Sequence, residues 1–120
     1  MKYNESEEMY LESILLLSKK KPNIRAVDVR QELNFAKSSV SKALGLLLSK
    51  NYIKIDEIGN ITLTSEGYKK AESIYEKHQI ITKTFLNMGA SDAVAEENAC
   101  RIEHVITDEL FEIIKKNLKT

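Results

Sequence analysis

The chain has 120 residues, 42% of them hydrophobic, a single Cys, a single Pro and a formal net charge of zero. That length fits one compact unit or two very small ones, each marginal alone, so dimerisation is expected. One Cys excludes an intramolecular disulfide scaffold, and no apolar run approaches the roughly 18 residues that a membrane span needs. The start, Met1-Lys2-Tyr3-Asn4-Glu5, lacks the charged-then-apolar order of a secretory signal, and a lone thiol suits a reducing cytoplasm. Charge is uneven along the chain. Residues 19–54 hold seven Lys and two Arg against only Asp28 and Glu32, whereas residues 65–120 are slightly acidic. A basic block inside a neutral chain points to a polyanionic partner on one side of the molecule; a solvated Lys-rich surface is the plainer alternative.

In chain order, Asn4 or Ser6 can cap a first helix, with Glu7 and Glu8 favourably placed for its dipole. Leu11, Ile14 and Leu15 recur at helical spacing as far as about Lys19. Met9 and Glu12 sit on a different flank, where Met9 by itself reads as core filling. Lys19 to Asn23, with Pro22, is a polar loop. Arg25 to Leu33 reads as a short second helix with Val29 and Leu33 on one side. Asn34 to Lys37 is a turn of about four residues.

Ser38 to about Lys50 is a third helix, with Val40, Leu44, Leu47 and Leu48 along one side. The opposite side carries Ser38, Ser41, Lys42, Gly45 and Ser49, all small or basic. Gly45 costs about 1 kcal/mol against Ala in a helix, and close backbone approach would be one reason for it. Ile53 and Ile55 alternate, Asp56 to Asn60 turns the chain, and Ile61 and Leu63 alternate again, so a β-hairpin follows the third helix. Helix, short turn, Ser/Lys-faced helix and hairpin make a winged helix-turn-helix over residues 1–64. Its third helix would enter the major groove of double-stranded DNA, with Ser38, Ser39, Ser41 and Lys42 facing bases and phosphates. Arg25, Lys37 and Lys54 would mainly hold the backbone. A small helical domain that binds protein is the alternative, but the basic excess falls on this same segment.

Thr64 or Ser65 caps a long helix to about Met88, with Ile74, Tyr75, His78, Ile81 and Phe85 on its packed face and Gly89 as a stop. At 1.5 Å per residue a helix of about 24 residues spans roughly 36 Å, enough to connect the DNA-binding unit to a second unit at 65–120. His78 taken alone reads as a satisfied core histidine. Ser91 caps the next helix, which carries Cys100, Glu103 and His104. At i, i+3 and i+4 these share one face, and Glu96 extends it by a turn. A thiolate, carboxylates and an imidazole converging in this way can seat a divalent transition metal. The alternative is a buried Cys beside a Glu–His surface pair. Thr107 or Asp108 opens a last helix, Glu109 to Leu118, whose Leu110, Ile113, Ile114 and Leu118 form an apolar stripe suited to packing or a dimer contact. The fold class expected is mostly α: a winged helix-turn-helix followed by an α-helical metal-binding and dimerisation domain.

Two stretches, Glu8-Met9-Tyr10-Leu11-Glu12 and Ala99-Cys100-Arg101-Ile102-Glu103-His104-Val105, together with the order of elements between them, resemble the iron-dependent repressors, the diphtheria-toxin-repressor and manganese-transport-regulator group. The resemblance covers essentially the whole chain. It implies a metal-activated homodimeric repressor of iron or manganese homeostasis genes, acting on operator DNA. By position, it assigns Met9, Cys100, Glu103 and His104 to an iron-type primary site and His78 to a companion site. A carboxylate matching Glu12 takes part, with His78, in manganese-type members. The chain departs from both types. Met9 and Cys100 look iron-like, Thr82 stands where iron-type members carry a Glu, and Glu96 stands where they carry a His. It ends at Thr120, so the SH3-like third domain of long members is expected to be absent.

On this reading an ion held by Met9 from one unit and by ligands from the other clamps the two units and selects a dimer spacing that fits successive major grooves, about 34 Å apart. Linkage makes DNA tighten metal binding by the same factor, typically 1–3 kcal/mol of coupling. Fe²⁺ or Mn²⁺ is the expected activator, while Zn²⁺, Co²⁺ or Ni²⁺ should bind at least as tightly in vitro. The other class is a winged-helix regulator gated by Cys100 oxidation or by an organic ligand. An enzyme built on Cys100 and His104 is not expected, because no orienting third residue, Gly-built oxyanion site or phosphate loop accompanies them.

Overall fold

The computed structural model describes residues 7–118, so the expected caps at Asn4 and Ser6 lie outside the described residues. Among the described residues the chain forms α1 (Glu7–Lys20), α2 (Ala26–Leu33), α3 (Lys37–Ser49), β1 (Ile53–Ile55), β2 (Ile61–Leu63), α4 (Ser65–Asn87), α5 (Asp92–Ile102) and α6 (Asp108–Asn117). Backbone packing divides it into two compact units, one up to Glu72 and one from Ser73, with the division inside α4. Expected and observed helix limits differ by a residue or two, the ordinary slack of fraying ends. No helix is long and apolar enough to cross a membrane.

In the N-terminal unit α1 packs on α2, α3 and β2, and α3 packs on β1. Leu11, Ile14, Ile24, Val29, Val40, Leu44, Leu47, Ile53 and Ile61 fill the core. The Tyr10 and Phe35 rings add a tilted contact at 5.9 Å between centroids. Burial on α1 runs beyond the Leu11–Ile14–Leu15 stripe to include Met9, Glu12 and Ser13. α2 ends at Asn34 and α3 is followed by Asn51, both left-handed (φ 56° and 62°), a conformation Asn tolerates better than most residues. The hairpin pairs Ile53 with Leu63, Lys54 with Thr62 and Ile55 with Ile61. Its turn is locked by the Asp56 carboxylate, which accepts from the Ile58 and Asn60 N–H groups at 3.0 and 2.8 Å, while Gly59 takes φ 90°. Leu48, expected on the packed side of α3, is instead 42% exposed. At 100° per residue it follows Leu47 around the helix and away from the Val40–Leu44–Leu47 row, which alone faces the core. Nothing lies within 4 Å of a Cβ built on Gly45, so no intramolecular approach requires that glycine.

Two local devices hold this unit in register. The Thr64 side-chain oxygen caps α4 by accepting from the Gly67 N–H at 3.0 Å and donates to the Asn51 carbonyl at 2.7 Å. This draws the start of α4 onto the Tyr52 backbone, where a Cβ on Gly67 would lie 1.9 Å from the Tyr52 carbonyl oxygen. At the other device, the Asp28 carboxylate accepts from the Arg25 N–H at 2.8 Å and meets Lys21 Nζ at 2.6 Å.

The C-terminal unit is built on Ile81 of α4, Ala99 of α5 and Phe111 of α6, with Ile80, Phe85, Ile102 and Ile106 packed around them. Ser91 and Thr107 cap α5 and α6 by accepting from Val94 and Leu110 N–H groups. Gly89, at φ 105°, closes α4. α6 departs from the expected stripe. Phe111 is its buried residue, while Leu110 and Ile113 are about half exposed. Phe111 packs with Ile81 and Ala99, and Lys77–Asp108 (3.2 Å) and Glu76–Lys115 (3.1 Å) ion pairs join α6 to α4 beside it.

Gly67→Ala must push a methyl into backbone, so the N-terminal unit should lose about 1–3 kcal/mol. A urea midpoint equal to that of the unsubstituted chain would show that the close approach to Tyr52 is dispensable. Lys21 and the Arg25 N–H hold the Asp28 carboxyl below its ordinary value. A lowered folded pKa stabilises above the unfolded carboxylate range and is lost as pH falls through the folded value. Asp28→Ala should therefore cost about 1 kcal/mol at pH 7, the usual size of a capping loss. That difference should shrink towards zero as both proteins are unfolded at progressively more acid pH.

Candidate functional site

The C-terminal unit gathers four polar side chains from three places. His78 projects from the middle of α4, Glu96 from α5, and Glu103 and His104 from the turn after α5. The Glu103 side chain is completely buried. One of its oxygens lies 2.9 Å from His78 Nδ1 and the other 3.2 Å from His104 Nε2. The second His78 nitrogen, Nε2, lies 2.9 Å from Glu96. Both imidazole nitrogens of His78 thus face carboxylates, which accept only, so both carry hydrogen in this arrangement. The Glu103 bond is the main cause, opposed by burial and helped by the charges of Glu103 and Glu96; together they push the His78 pKa up to about 9.

Two imidazoles and two carboxylates form a donor set that suits a divalent first-row cation. A carboxylate out of water demands such partners, because an unbalanced buried charge is costly. These residues therefore fit the kind of ion that the resemblance implies. Glu103 would bring the buried charge, His104 an imidazole nitrogen, His78 another once the ion displaces one of its two ring protons, and Glu96, 64% exposed, a solvent-facing oxygen. Cys100 lies on α5 one turn before Glu103 and is half-buried. Met9 and Glu12 belong to the N-terminal unit, both buried on α1.

The expected single helical face is corrected in one respect. α5 stops at Ile102, so Cys100 is helical whereas Glu103 caps the helix and His104 lies in the turn. The Ile102 carbonyl accepts from both Val105 and Ile106 N–H groups at 2.9 Å, and Thr107 must be extended (ψ 153°) to cap α6. The start of one helix thus terminates the other. Glu103 keeps nearly helical angles (φ −56°, ψ −27°), which leaves it about where a continued helix would put it. The Thr82 hydroxyl donates to the His78 carbonyl at 2.7 Å, turned back on its own helix.

On the N-terminal unit, Lys37, Ser38, Ser41 and Lys42 are exposed along α3 and Ser39 is half-buried. Arg25 sits at the start of α2, and Lys54 is exposed on β1. The basic block is not uniformly available. Lys21 is paired with Asp28 and Lys50 with Glu7, whereas no carboxylate partner is recorded among the described residues for Arg30, Lys37, Lys42 or Lys54. Arg30 carried no role in the sequence beyond its charge. In the structure it lines, with Lys37 and Ser41, a groove of about 190 Å³ between α2 and α3. Its helical spacing from Ala26 and Val27 was the available signal.

Two family descriptions match the chain. "Iron dependent repressor, N-terminal DNA binding domain" matches residues 2–58, and "Iron dependent repressor, metal binding and dimerisation domain" matches residues 64–120. A Methanocaldococcus jannaschii protein described as an uncharacterised HTH-type transcriptional regulator is 34% identical over 93% of this chain and 91% of its own length. The chain belongs to the iron-dependent repressor family. Two solved members of this fold agree. T. acidophilum IdeR superposes with a TM-score of 0.82 at 26% identity over 96% of this chain. The manganese regulator SloR superposes with 0.84 at 25% identity over 95%. This chain spans only 55% and 54% of those two chains. Iron-dependent repressors are metal-dependent transcriptional regulators, so DNA binding, metal binding and repression are family properties of this protein. The Methanocaldococcus jannaschii relative and an Escherichia coli one, MntR, 29% identical over 88% of this chain, are described as transcriptional regulators.

If Glu103 is the buried charge that organises this unit, Glu103→Ala should lower its stability in urea by roughly 3 kcal/mol, the scale of a broken buried pair. Glu96→Ala, at an exposed position, should cost less than about 1 kcal/mol. Equal losses from the two substitutions would contradict this ranking.

Proposed function

We propose that this protein is a homodimeric repressor of iron or manganese homeostasis genes, switched on when a divalent ion is held by residues of both units. The observation that carries the reading is the buried Glu103 carboxylate with an imidazole at each oxygen, His78 at 2.9 Å and His104 at 3.2 Å. The residues that would hold the ion are His78, Glu96, Cys100, Glu103 and His104 from the C-terminal unit and Met9 and Glu12 from α1. When bound, the ion supplies a fixed positive charge that several donors share; it does no chemistry. The Glu103 carboxylate holds the His78 imidazole by a 2.9 Å hydrogen bond, and an ion taken up there would displace a proton from that ring. Hard oxygens and imidazoles suit Mn²⁺ and Fe²⁺, and the soft sulfurs of Met9 and Cys100 tilt the set towards Fe²⁺. The relatives do not decide between the two: the family name is iron-dependent, and SloR is a manganese regulator.

The operator-facing residues proposed are Arg25, Lys37, Ser38, Ser39, Ser41, Lys42 and Lys54. Small hydroxylated and cationic side chains on the exposed side of α3 permit close approach to base edges and phosphates. The open space at Gly45 supports the same reading, because a bulkier residue there would project from that helix towards a partner. Homodimerisation is supported by the apolar surface that α6 leaves open. Leu110 and Ile113 are half exposed, and Met88 is 78% exposed at the rim of a groove of about 630 Å³ that Ile113 and Ile114 also line.

The test is anaerobic titration of Fe²⁺ and of Mn²⁺ into a binding assay with an operator selected from genomic DNA by enrichment of bound duplexes. Either ion should raise DNA affinity by about 5–150-fold, the range of typical coupling energies. His104→Ala should bind DNA no better with metal than without, while its circular dichroism stays native. Activation by Zn²⁺ alone would refute the choice of ion. A fully metal-responsive His104→Ala would refute the residue set.

A further inference from the structure

We infer that the groove between α2 and α3 is a clamp for a single backbone phosphate of double-stranded DNA, closed by Arg30 from one helix and Lys37 from the other. The inference rests on the DNA-binding reading above and adds a residue and a contact to it. The groove is lined by Ala26, Val27, Arg30, Lys37, Val40 and Ser41. Its volume, about 190 Å³, is that of a small group and not of a drug-sized ligand. Two cations and one hydroxyl supply every charged or donor side chain in that lining, and no acid shares it. Val27 and Val40 supply apolar walls, against which the sugar next to a phosphate can lie.

Charge bookkeeping within the N-terminal unit supports the assignment. Of the two acids nearest to Arg30 in sequence, Asp28 is already committed to Lys21 and the Arg25 N–H. Glu32 lies two residues after Arg30, about 200° around the helix, and so faces elsewhere. No ion pair is recorded for Arg30 or Lys37 among the described residues. Lys37 is also the first residue of α3, and the preceding Ala36 offers no side-chain cap. The first N–H groups of α3 therefore add positive potential to the same end of the groove. An Arg fork opposite a Lys point charge suits a phosphate oxygen pair better than a base edge, so the clamp should set position without reading sequence.

The experiment measures binding of the full chain, with saturating Mn²⁺, to a 30-base-pair duplex of random sequence across a salt series, by fluorescence anisotropy. Each neutralised phosphate contributes about 0.9 to the slope of log affinity against log salt. The double variant Arg30→Gln/Lys37→Gln should bind with a slope shallower by about 0.9, and Arg30→Lys should restore most of it. A double variant that keeps the full slope, while the unsubstituted chain binds, overturns the clamp and leaves the repressor reading standing. Failure of the unsubstituted chain to bind any duplex at any salt would remove both. A parallel arm separates a free-anion site from a DNA site. At constant ionic strength, 10 mM inorganic phosphate should not raise the melting temperature of the unsubstituted chain above that of the double variant. A phosphate-dependent rise confined to the unsubstituted chain, with unchanged DNA slopes, would also overturn the proposal.

Discussion

A carboxylate shut away from water has to be answered by positive charge or by donors, and Glu103 sets the geometry of the C-terminal unit through that demand. Its two oxygens reach two imidazoles that come from separate elements, His78 from α4 and His104 from the turn before α6. Glu96 then answers the far nitrogen of His78. Charge thus passes outward from a fully buried group to an exposed one, through an imidazole whose pKa is held near 9. Behind this row lies an apolar block, Ile81, Ala99 and Phe111, one residue from each of the three helices. A polar constellation on a packed scaffold keeps its distances.

The N-terminal unit solves a different problem, that of keeping one surface open and cationic while the rest folds. Several of its cations are spent on structure: Lys21 on the α2 cap, Lys50 on Glu7. Arg30, Lys37, Lys42 and Lys54, for which no carboxylate partner is found among the described residues, lie on α2, α3 and β1. The wing is held by a different means, an Asp56 side chain that takes over backbone donors in its turn, and a Gly67 whose missing Cβ lets α4 begin against Tyr52. Uncommitted cations on a face held rigid from behind are the electrostatic footprint of a nucleic-acid surface. The resemblance to iron-dependent repressors and the shared fold place this unit in a family whose N-terminal domain binds DNA.

Much of the fold was legible in sequence wherever a local rule decided it. Ser91, Thr107 and Thr64 cap the helices they precede, Gly89 stops α4, and Asp56 to Asn60 turns the hairpin in register. These outcomes depend on a few neighbouring backbone groups, and the residue types announce them. The misreadings came where distant packing chose between equal local options. Leu48 was as apolar as Leu47, and Leu110 and Ile113 as apolar as Phe111. Packing against Ile81 of α4 and Ala99 of α5 made Phe111 the buried one. The end of α5 was misplaced because the capping demand of α6 begins five residues later.

By itself, then, the amino-acid order determined the helices, the wing, the unequal spread of charge and the chemistry available at positions 96 to 104, because propensity, capping and charge act over a few residues. The tertiary structure alone decided that His78 stands against Glu103, 25 residues away, and that Arg30 shares a groove with Lys37. Those pairings depend on how one helix is rotated against another, and that rotation is set by the core behind them, where side chains compete for the same space.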